Sequence, residues 1–350
     1  MPGSLTPVPP AALRLEIDRA ALADNWRVLD RHSGTARAGA AVKADAYGIG
    51  ARVAAPVLRE AGCADFFVAH WAEAAELVGL VPPGAISVLH GPLTAADAGF
   101  ARALGVKPVI NSLAQARLWL AAGGGVCDLM VDTGINRLGL PPGELGDEAI
   151  ARLDIDVLLS HLASADEDSP LNGVQLARWR AAHRVVRHRR ASLANSAGII
   201  LGSDYHGDVT RPGLALYGGV PRAELAGQIR QVARPQAALM QVRNLQAGDT
   251  VGYNATFTAP GPMRVGVIAL GYADGYLRCW SGVGAMRDGG ARLPVLGRVS
   301  MDMTVIDLGA APMLREGDWI EADYALPEAS AASGLSQYEL LTLLGRRFAR

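Results

Sequence analysis

Two lysines limit the amine chemistry that this chain can carry out. Among its 33 lysine and arginine residues only Lys43 and Lys107 are lysines, which leaves 31 arginines. A Schiff base with a carbonyl group needs a lysine amine. Lys43 ends a short apolar run typical of a buried strand, where an amine loses hydration unless it is paired or used covalently. Lys107 begins a strand-like run and is expected at the opposite strand end. Lys43 is therefore the candidate amine, and the alternative is an ordinary surface lysine.

Further polar side chains stand where other predicted strands end. They are His70, His90, Asn111, Asp132, His161, and Asn195 with Ser196. We expect the strand starts to hold few such groups. Because the active groups of parallel barrels gather at the carboxyl ends of their strands, this asymmetry favours an enzyme.

The elements that must position these residues alternate regularly along the first two thirds of the chain. Eight apolar runs cover residues 38–43, 65–70, 86–91, 107–111, 127–133, 154–163, 191–197 and 214–219. Helix-like stretches, such as 72–80, 94–104, 112–122 and 173–190, separate most of them. The pattern predicts a closed parallel (β/α)8 barrel of the TIM type, with an open doubly wound sheet as the alternative.

The pattern changes after residue 230. Runs 263–270, 293–299 and 301–308 are typical of strands and are separated by glycine-containing turns. We therefore predict a barrel over residues 13–230 and a mostly β domain over 231–350, with a helix at 337–348. Residues 1–12 are expected to be mobile, and the strand-like segment 13–18 is a candidate to pair with the β domain.

Composition excludes several classes of protein. A formal net charge of −1 argues against a general nucleic-acid surface, and the arginine-rich stretch 178–190 is interpreted as a solvated helix face. The three cysteines are far apart, which predicts neither a disulfide framework nor a metal site. The absence of a signal pattern or a long apolar run favours a cytoplasmic protein without a membrane span.

Eight stretches, taken together and in order, resemble one family. They are residues 41–48 (AVKADAYG), 131–139 (VDTGINRLG), 160–167 (SHLASADE), 193–198 (LANSAG), 211–218 (RPGLALYG), 252–257 (GYNATF), 270–276 (LGYADGY) and 297–303 (GRVSMDM). The family is the fold-type III alanine racemases, which use pyridoxal phosphate (PLP). The resemblance spans nearly the whole chain and implies interconversion of L- and D-alanine, which supplies D-alanine for peptidoglycan precursors.

The resemblance implies a two-base mechanism. Lys43 holds PLP as a Schiff base and, once released, exchanges the substrate's Cα proton on one face of the cofactor. Tyr253 is the acid/base on the opposite face. A phenol has an ordinary pKa of about 10, so Tyr253 needs help to ionise. His161 matches the family histidine near that tyrosine and the cofactor ring.

Cofactor contacts carry over from the same family. Because barrel phosphate sites form around strands 7 and 8, Ser196 at the end of the seventh run and the backbone amides of Gly213 and Leu214 at the start of the eighth are expected to bind the phosphate. By resemblance, Tyr47 and Tyr338 add phenol contacts to it. A further match is Arg211, which faces the pyridine nitrogen. Because a guanidinium only donates hydrogen bonds, that nitrogen stays unprotonated, which discourages side reactions.

Substrate contacts and departures also follow from the resemblance. Arg137 matches the residue near the substrate carboxylate, the N–H of Met301 binds that carboxylate, and Tyr272 stands at the entrance. Where the family often has a carbamylated lysine this chain has Met130, and where it often has a histidine beside Arg211 the chain has Ser192. These departures leave the positioning of both arginines and the substrate preference open.

The resemblance further implies a homodimer with shared active sites, in which Tyr253 and Met301 reach the neighbour's barrel. Three alternatives remain. One is a serine or broad-specificity racemase, another is a PLP-dependent decarboxylase, and the third is a non-catalytic PLP-binding barrel protein. The β domain and the Tyr253 stretch favour racemisation.

Overall fold

The computed structural model describes Pro9 and residues 11–349, so the predicted mobile segment 1–12 lies largely outside the described residues. The strands are β1 Leu13–Ile17, β2 Arg37–Ala38, β3 Ala40–Ala41, β4 Phe66–Val68, β5 Ile86–Val88, β6 Lys107–Ile110, β7 Val126–Met130, β8 Asp154–Leu159, β9 Arg190–Ser192, β10 Val209–Thr210, β11 Ala233–Leu245, β12 Thr250–Val251, β13 Phe257–Thr258, β14 Met263–Ile268, β15 Ala285–Asp288, β16 Ala291–Leu296, β17 Thr304–Asp307 and β18 Trp319–Ala322. The helical segments are α1 Arg19–His32, α2 Lys43–Tyr47, α3 Ala51–Ala61, α4 Trp71–Leu77, α5 Ala95–Leu104, α6 Leu113–Ala121, α7 Glu148–Ala151, α8 Pro170–Val185, α9 Leu326–Ser333 and α10 Gln337–Thr342.

The chain divides into two compact units. One unit is Arg19–Val232, and the other combines the described residues up to Asp18 with those from Ala233 onward. In the first unit, seven parallel strands follow one another in chain order from β3 to β9. Capping residues start several of the intervening helices, for example Thr94 before α5 and Ser112 before α6, each accepting a backbone N–H.

The eighth place in the barrel belongs to β10, not to the predicted strand 214–219. Strand β10 pairs in parallel with β2, and the amide of Gly39 donates to the carbonyl of Thr210 at 2.9 Å. On the other side, the amide of Asp208 donates to Ala191 at 2.7 Å, so the barrel closes. Residues Leu214–Tyr217 form a buried 3-10 turn instead. A short apolar run can be buried as a strand or as a turn, so its apolar character does not distinguish the two conformations.

Charged side chains form a buried cluster near the amino ends of the barrel strands. The amine of Lys107 lies 2.7 Å from a carboxylate oxygen of Asp156, 3.8 Å from Asp128 and 4.0 Å from Asp65. Arg190 contacts Asp65 and Asp156 at 2.8 Å. The expectation that strand starts hold few polar groups was therefore wrong. Each of these charges has a partner of opposite sign, which is the condition for burying it.

Arg190 also corrects the interpretation of the arginine-rich stretch 178–190. Helix α8 ends at Val185, and Arg190 lies in β9 as part of the buried cluster. Only the earlier part of the stretch is on the helix. The side chain of Arg178 donates to the carbonyl of Thr133 at 3.0 Å, so this cation also has a defined partner.

The second unit is built on an antiparallel sheet. Its strand order is β1-β11-β14-β17-β16-β15-β18, and β18 also pairs with β11, which closes the sheet into a barrel. Strand β1 pairs with β11 from Leu13 opposite Ala237 to Ile17 opposite Ala233. The long strand β11 was not predicted, because Pro235 and several alanines give it low β-propensity. The predicted terminal helix 337–348 is shorter, ending at Thr342.

Within the described residues, no helix is both long and apolar enough to cross a membrane. The same part of the chain contains no group of three or more histidine, cysteine or acidic residues arranged to hold a metal ion.

Candidate active site

Lys43 follows the carboxyl end of β3 and begins an unusual turn. The amide of Val42 still donates to the carbonyl of Phe67 at 2.9 Å, so the strand ladder reaches the residue before Lys43. The next four residues, Ala44–Tyr47, are all left-handed, with φ between 53° and 55°. Each such non-glycine residue costs roughly 1–2 kcal/mol relative to a right-handed one. The surrounding structure must therefore hold this turn, and strain of this kind is typical of functional sites.

The amine of Lys43 lies in an environment that favours its neutral form. Burial lowers its pKa from the ordinary value, and the positive charges of Arg137 and Arg211 lower it further. The carboxylate of Glu73 acts in the opposite direction. A neutral amine is the form that can attack a carbonyl carbon or accept a proton.

His161 follows the end of β8. A part of its surface is accessible to solvent, but protein atoms surround the imidazole on most sides, so its charged form is poorly solvated. Burial, together with the charges of Arg211, Arg137 and Lys43, lowers its pKa to about 3. The imidazole is therefore neutral at physiological pH and can both donate and accept a hydrogen bond.

Arg211 is buried and held by three acceptors. Its guanidinium donates to the hydroxyl of Ser192 and to the carbonyls of Ser160 and Leu193. Burial lowers its pKa to about 10, which still leaves it charged near pH 7. Ser192, which stands where the family often has a histidine, thus accepts a hydrogen bond from Arg211 and donates one to the carbonyl of Val209.

Met130 does not supply a charged group to Arg137. Its side chain is buried in an apolar cluster with Phe67, Val109 and Leu159, among other residues of the barrel interior. Arg137 itself is exposed in the loop after β7. The position of the family's carbamylated lysine is therefore apolar in this chain.

A small cradle lies at the start of the turn Leu214–Tyr217. The hydroxyl of Ser196 accepts hydrogen bonds from the amides of Gly213 at 2.9 Å and Ala215 at 3.2 Å. As the first residue of the turn, Leu214 has an N–H without an acceptor inside the turn. A Cβ on Gly213 would lie 2.3 Å from the hydroxyl oxygen of Tyr47. Only glycine therefore leaves room there.

These groups fit pyridoxal phosphate. The hydroxyl proton of Ser196 and the amide of Leu214 are donors suited to a phosphate, and Gly213, whose amide is bonded to the Ser196 hydroxyl, leaves the space beside them. Arg211 offers a fixed donor to a ring nitrogen, and Lys43 offers to an aldehyde an amine whose pKa is lowered by burial. The ring of Tyr47 packs against Tyr217 at 4.9 Å, which fixes its hydroxyl beside the cradle.

The remaining predicted site residues belong to the β unit. Tyr253 is 61% exposed and Met301 is 53% exposed. The amide of Tyr272 donates to Ser300 at 3.0 Å, so Tyr272 lies beside the Met301 segment. Tyr338 is exposed on α10. The structure thus sorts the predicted residues into a barrel set and a β-unit set.

Tyr253 opens a short irregular turn between β12 and β13. The residues after it, Asn254 and Ala255, have φ of 62° and 48°. Strands β12 and β13 form a two-stranded hairpin, with Val251 opposite Phe257, that holds the two ends of this turn. The phenol is therefore presented on a constrained loop.

Glu73 was not among the predicted site residues. It stands three residues after His70, at the start of α4, and its carboxylate accepts the amide of Ala44, which follows Lys43. The only available signal was an acidic residue at the third position of a predicted helix, the pattern of a capping box. That pattern is common, and it does not reveal a contact across 29 residues.

Comparisons with known proteins agree with this geometry. Residues 17–221 match the family model for the alanine racemase N-terminal domain, and residues 232–350 match that for the C-terminal domain. An alanine racemase of Rhizobium meliloti is 42% identical over 97% of this chain and 96% of its own length. The crystal structure of alanine racemase from Bartonella henselae with covalently bound pyridoxal phosphate has a TM-score of 0.89, with 34% identity over 97% of this chain and 99% of that one. The biosynthetic alanine racemase of Pseudomonas aeruginosa has a TM-score of 0.87, with 34% identity over 98% and 99% of the two chains.

Proposed function

The chain belongs to the alanine racemase family, and from that premise we propose that Lys43 and Tyr253 carry out the two proton transfers of its reaction. The protein is a pyridoxal-phosphate-dependent isomerase that interconverts L- and D-alanine. The observation that carries the proposal for Lys43 is its buried amine, whose pKa is lowered by burial and by Arg137 and Arg211, at the start of the turn whose Tyr47 hydroxyl borders Gly213.

When bound, pyridoxal phosphate withdraws electrons from the Cα atom of the attached amino acid, which makes the Cα proton removable. Lys43 holds the cofactor through its amine and then exchanges that proton on one face. For this it must be neutral, and burial with two nearby guanidinium groups favours the neutral amine. Arg211 remains a cation that only donates, so a ring nitrogen held against it would accept its hydrogen bond and stay unprotonated.

Tyr253 exchanges the proton on the other face. Its exposed phenol on a constrained turn supports this role, because it is available to a partner site. We propose that the enzyme is a homodimer in which Tyr253 and the amide of Met301 complete the neighbour's barrel site. His161, neutral at physiological pH, receives a hydrogen bond from the phenol or donates one to the cofactor.

The other contacts follow the same division. Ser196, Gly213 and Leu214 bind the phosphate, assisted by the phenols of Tyr47 and Tyr338. The cradle geometry supports the first three assignments, and the fixed hydroxyl of Tyr47 supports the fourth.

Arg137 and the amide of Met301 bind the substrate carboxylate, and Tyr272 lines the entrance. The exposure of Arg137 supports this role, because a guanidinium there is accessible to an incoming anion. The apolar Met130 leaves Arg137 without the charged neighbour common in the family, so we expect its position to depend on other contacts.

The decisive assay is chiral analysis of the purified enzyme with alanine, serine and other amino acids, alongside the absorbance of the lysine-bound cofactor. Racemisation fastest with alanine is expected. Serine turning over equally well would indicate a broad-specificity racemase. Retained cofactor absorbance without interconversion of any amino acid would overturn catalysis and leave a cofactor-binding protein.

The shared site is tested by mixing two inactive variants, Lys43→Ala and Tyr253→Ala. After subunit exchange, hybrid dimers contain one site with both intact residues, so part of the activity should return. A mixture that stays inactive, although exchange is verified by differently tagged subunits, would contradict the shared site. The control is each variant mixed with itself.

We also propose a cytoplasmic location. Cys63, Cys127 and Cys279 are all free thiols, which suits a reducing compartment. Fractionation of cells producing the tagged protein tests this proposal, and recovery outside the cytoplasmic fraction would contradict it.

A further inference from the structure

The carboxylate of Glu73 joins two separate segments of the barrel. One oxygen accepts the amide of Ala44 at 2.6 Å. The other accepts the amides of Ala69 at 2.7 Å and His70 at 3.1 Å. Hydrogen bonds to an ionised carboxylate are short and roughly twice as strong as neutral ones. A single side chain therefore connects the residue after Lys43 to the start of α4.

The segment that Glu73 holds is the strained turn described above. Ala44 is the first of its four left-handed residues. At the far side of the turn, the side chain of Asp45 accepts the amide of Ala51 at 2.6 Å. Because residues with side chains leave this conformation unless their surroundings determine it, the contacts at both ends are needed to keep the turn. Glu73 supplies the contact next to Lys43.

Glu73 also supplies negative charge to a mainly cationic neighbourhood. Arg137 and Arg211 act on Lys43 as positive charges, and Glu73 acts as the opposing anion. Lys43 in turn influences His161 and His90, and the ring of His90 lies 4.3 Å from that of His70.

We propose that Glu73 is a positioning residue that holds the left-handed turn and thereby fixes where the amine of Lys43 is presented. This inference rests on the proposed function of Lys43. It goes beyond capping of α4, for which the bonds to Ala69 and His70 would be sufficient. The bond to Ala44 lies outside the helix and has no role in capping it.

The test compares Glu73→Gln with Glu76→Gln. Both change the same residue type on the same helix, but Glu76 is exposed and is not part of the site. An amide side chain cannot accept on both of its ends, so Glu73→Gln loses either the bond to Ala44 or those to Ala69 and His70. The first measurement is hydrogen exchange of the peptide covering residues 43–50 in the holoenzyme. We expect exchange about tenfold faster in Glu73→Gln and unchanged in Glu76→Gln.

The second measurement is the pH profile of kcat, because the Lys43 amine is released only in the substrate complex. Removing the anion lowers the pKa of that amine, so the acidic limb should move to lower pH in Glu73→Gln. Trapping of the cofactor by hydroxylamine should also be faster, because the turn no longer fixes the amine. A purely structural role would change the unfolding midpoint without moving the acidic limb.

The inference is overturned if Glu73→Gln matches Glu76→Gln in both exchange and pH profile. If Glu73→Gln does not fold, Glu73→Asp replaces it, since the shorter side chain keeps the charge but cannot span both segments. That variant should show faster exchange with a nearly unchanged acidic limb, and exchange equal to wild type would overturn the inference. Failure of the proposed function is separate, because it appears as an inactive wild type while the exchange measurement is still informative.

Discussion

Arg211 donates a hydrogen bond to the hydroxyl of Ser192, and that hydroxyl donates in turn to the carbonyl of Val209. The serine therefore connects the buried guanidinium to the strand that completes the barrel. Family members often have a histidine at this position. In this chain the serine hydroxyl accepts a hydrogen bond from Arg211 and donates its own proton to a carbonyl, so both groups are satisfied.

Replacing Ser192 with alanine should leave one donor of the buried Arg211 without an acceptor. We expect a loss of about 1–3 kcal/mol in the free energy of unfolding, measured by urea titration. Because we propose that Arg211 faces the cofactor ring, kcat/KM should also fall, by about tenfold for each 1.4 kcal/mol of lost transition-state stabilisation. The control is Ser203→Ala, at an exposed serine. Equal behaviour of the two variants would contradict the role of Ser192.

Replacing Gly213 with alanine should weaken cofactor binding. The added methyl group would lie 2.3 Å from the Tyr47 hydroxyl oxygen, and that ring is held by Tyr217. Displacement of the cradle by about 1 Å can cost on the order of a hundredfold. Cofactor affinity, measured by absorbance titration of the apoenzyme, should fall at least tenfold.

The matched control for Gly213 is Gly173→Ala. Gly173 lies in α8 with open space at its Cβ position, so the same substitution should stabilise the helix by roughly 0.5–1 kcal/mol and leave cofactor affinity unchanged. Normal cofactor affinity in Gly213→Ala would show that the cradle does not bind the phosphate.

The barrel could be predicted from the sequence because most of its strands are rich in apolar residues and recur at regular spacing. Strands β4 to β9 all lie within or beside predicted runs, since burial on both faces favours apolar residues. The eighth strand was misplaced because β10 contains only two residues. The longer apolar run 214–219 was therefore predicted as the eighth strand in place of β10.

The turn after Lys43 could not be predicted. Ala44, Asp45 and Ala46 carry no glycine signal for a left-handed conformation, and tertiary contacts such as that of Glu73 determine it. The buried cluster around Lys107 was equally hidden. Its partners come from strands far apart in sequence, for example Asp65 and Arg190, separated by 125 residues. Which side chains meet inside a barrel depends on the register of neighbouring strands. The spacing of apolar runs along the sequence does not specify that register.

The pH dependence of stability should report on His161. Its folded-state pKa of about 3 lies below the ordinary value of about 6.5, so the unfolded state binds more protons between these values. The contribution of His161 to the free energy of unfolding is fully present above about pH 6.5 and is lost as the pH falls towards 3.

Between pH 7 and 5, His161 should account for roughly 1–2 kcal/mol of the loss in unfolding free energy. His161→Gln should remove that part of the pH dependence, whereas the exposed His32→Gln should retain it. Urea titrations at both pH values measure the difference. An identical pH dependence in wild type and His161→Gln would contradict a depressed pKa.

The buried cluster should contribute to stability without taking part in catalysis. Burial opposes the charge of Lys107, but Asp128, Asp156 and Asp65 raise its pKa above the ordinary value, so the amine remains a cation. Lys107→Met removes that cation and leaves buried carboxylates with fewer partners. Breaking a buried ion pair in this way costs about 3–5 kcal/mol.

Urea unfolding of Lys107→Met should therefore show a large loss, whereas kcat per folded molecule should be unchanged because the cluster lies near the opposite strand ends from Lys43. The control is Arg189→Met. This breaks the exposed pair with Asp154, in which both side chains are 52% exposed, and should cost less than about 1 kcal/mol. Similar losses in the two variants would mean that the buried lysine is no more important than a surface one. A lower kcat with unchanged stability would instead place Lys107 in the catalytic pathway, contrary to the assignment of Lys43 as the amine that holds the cofactor.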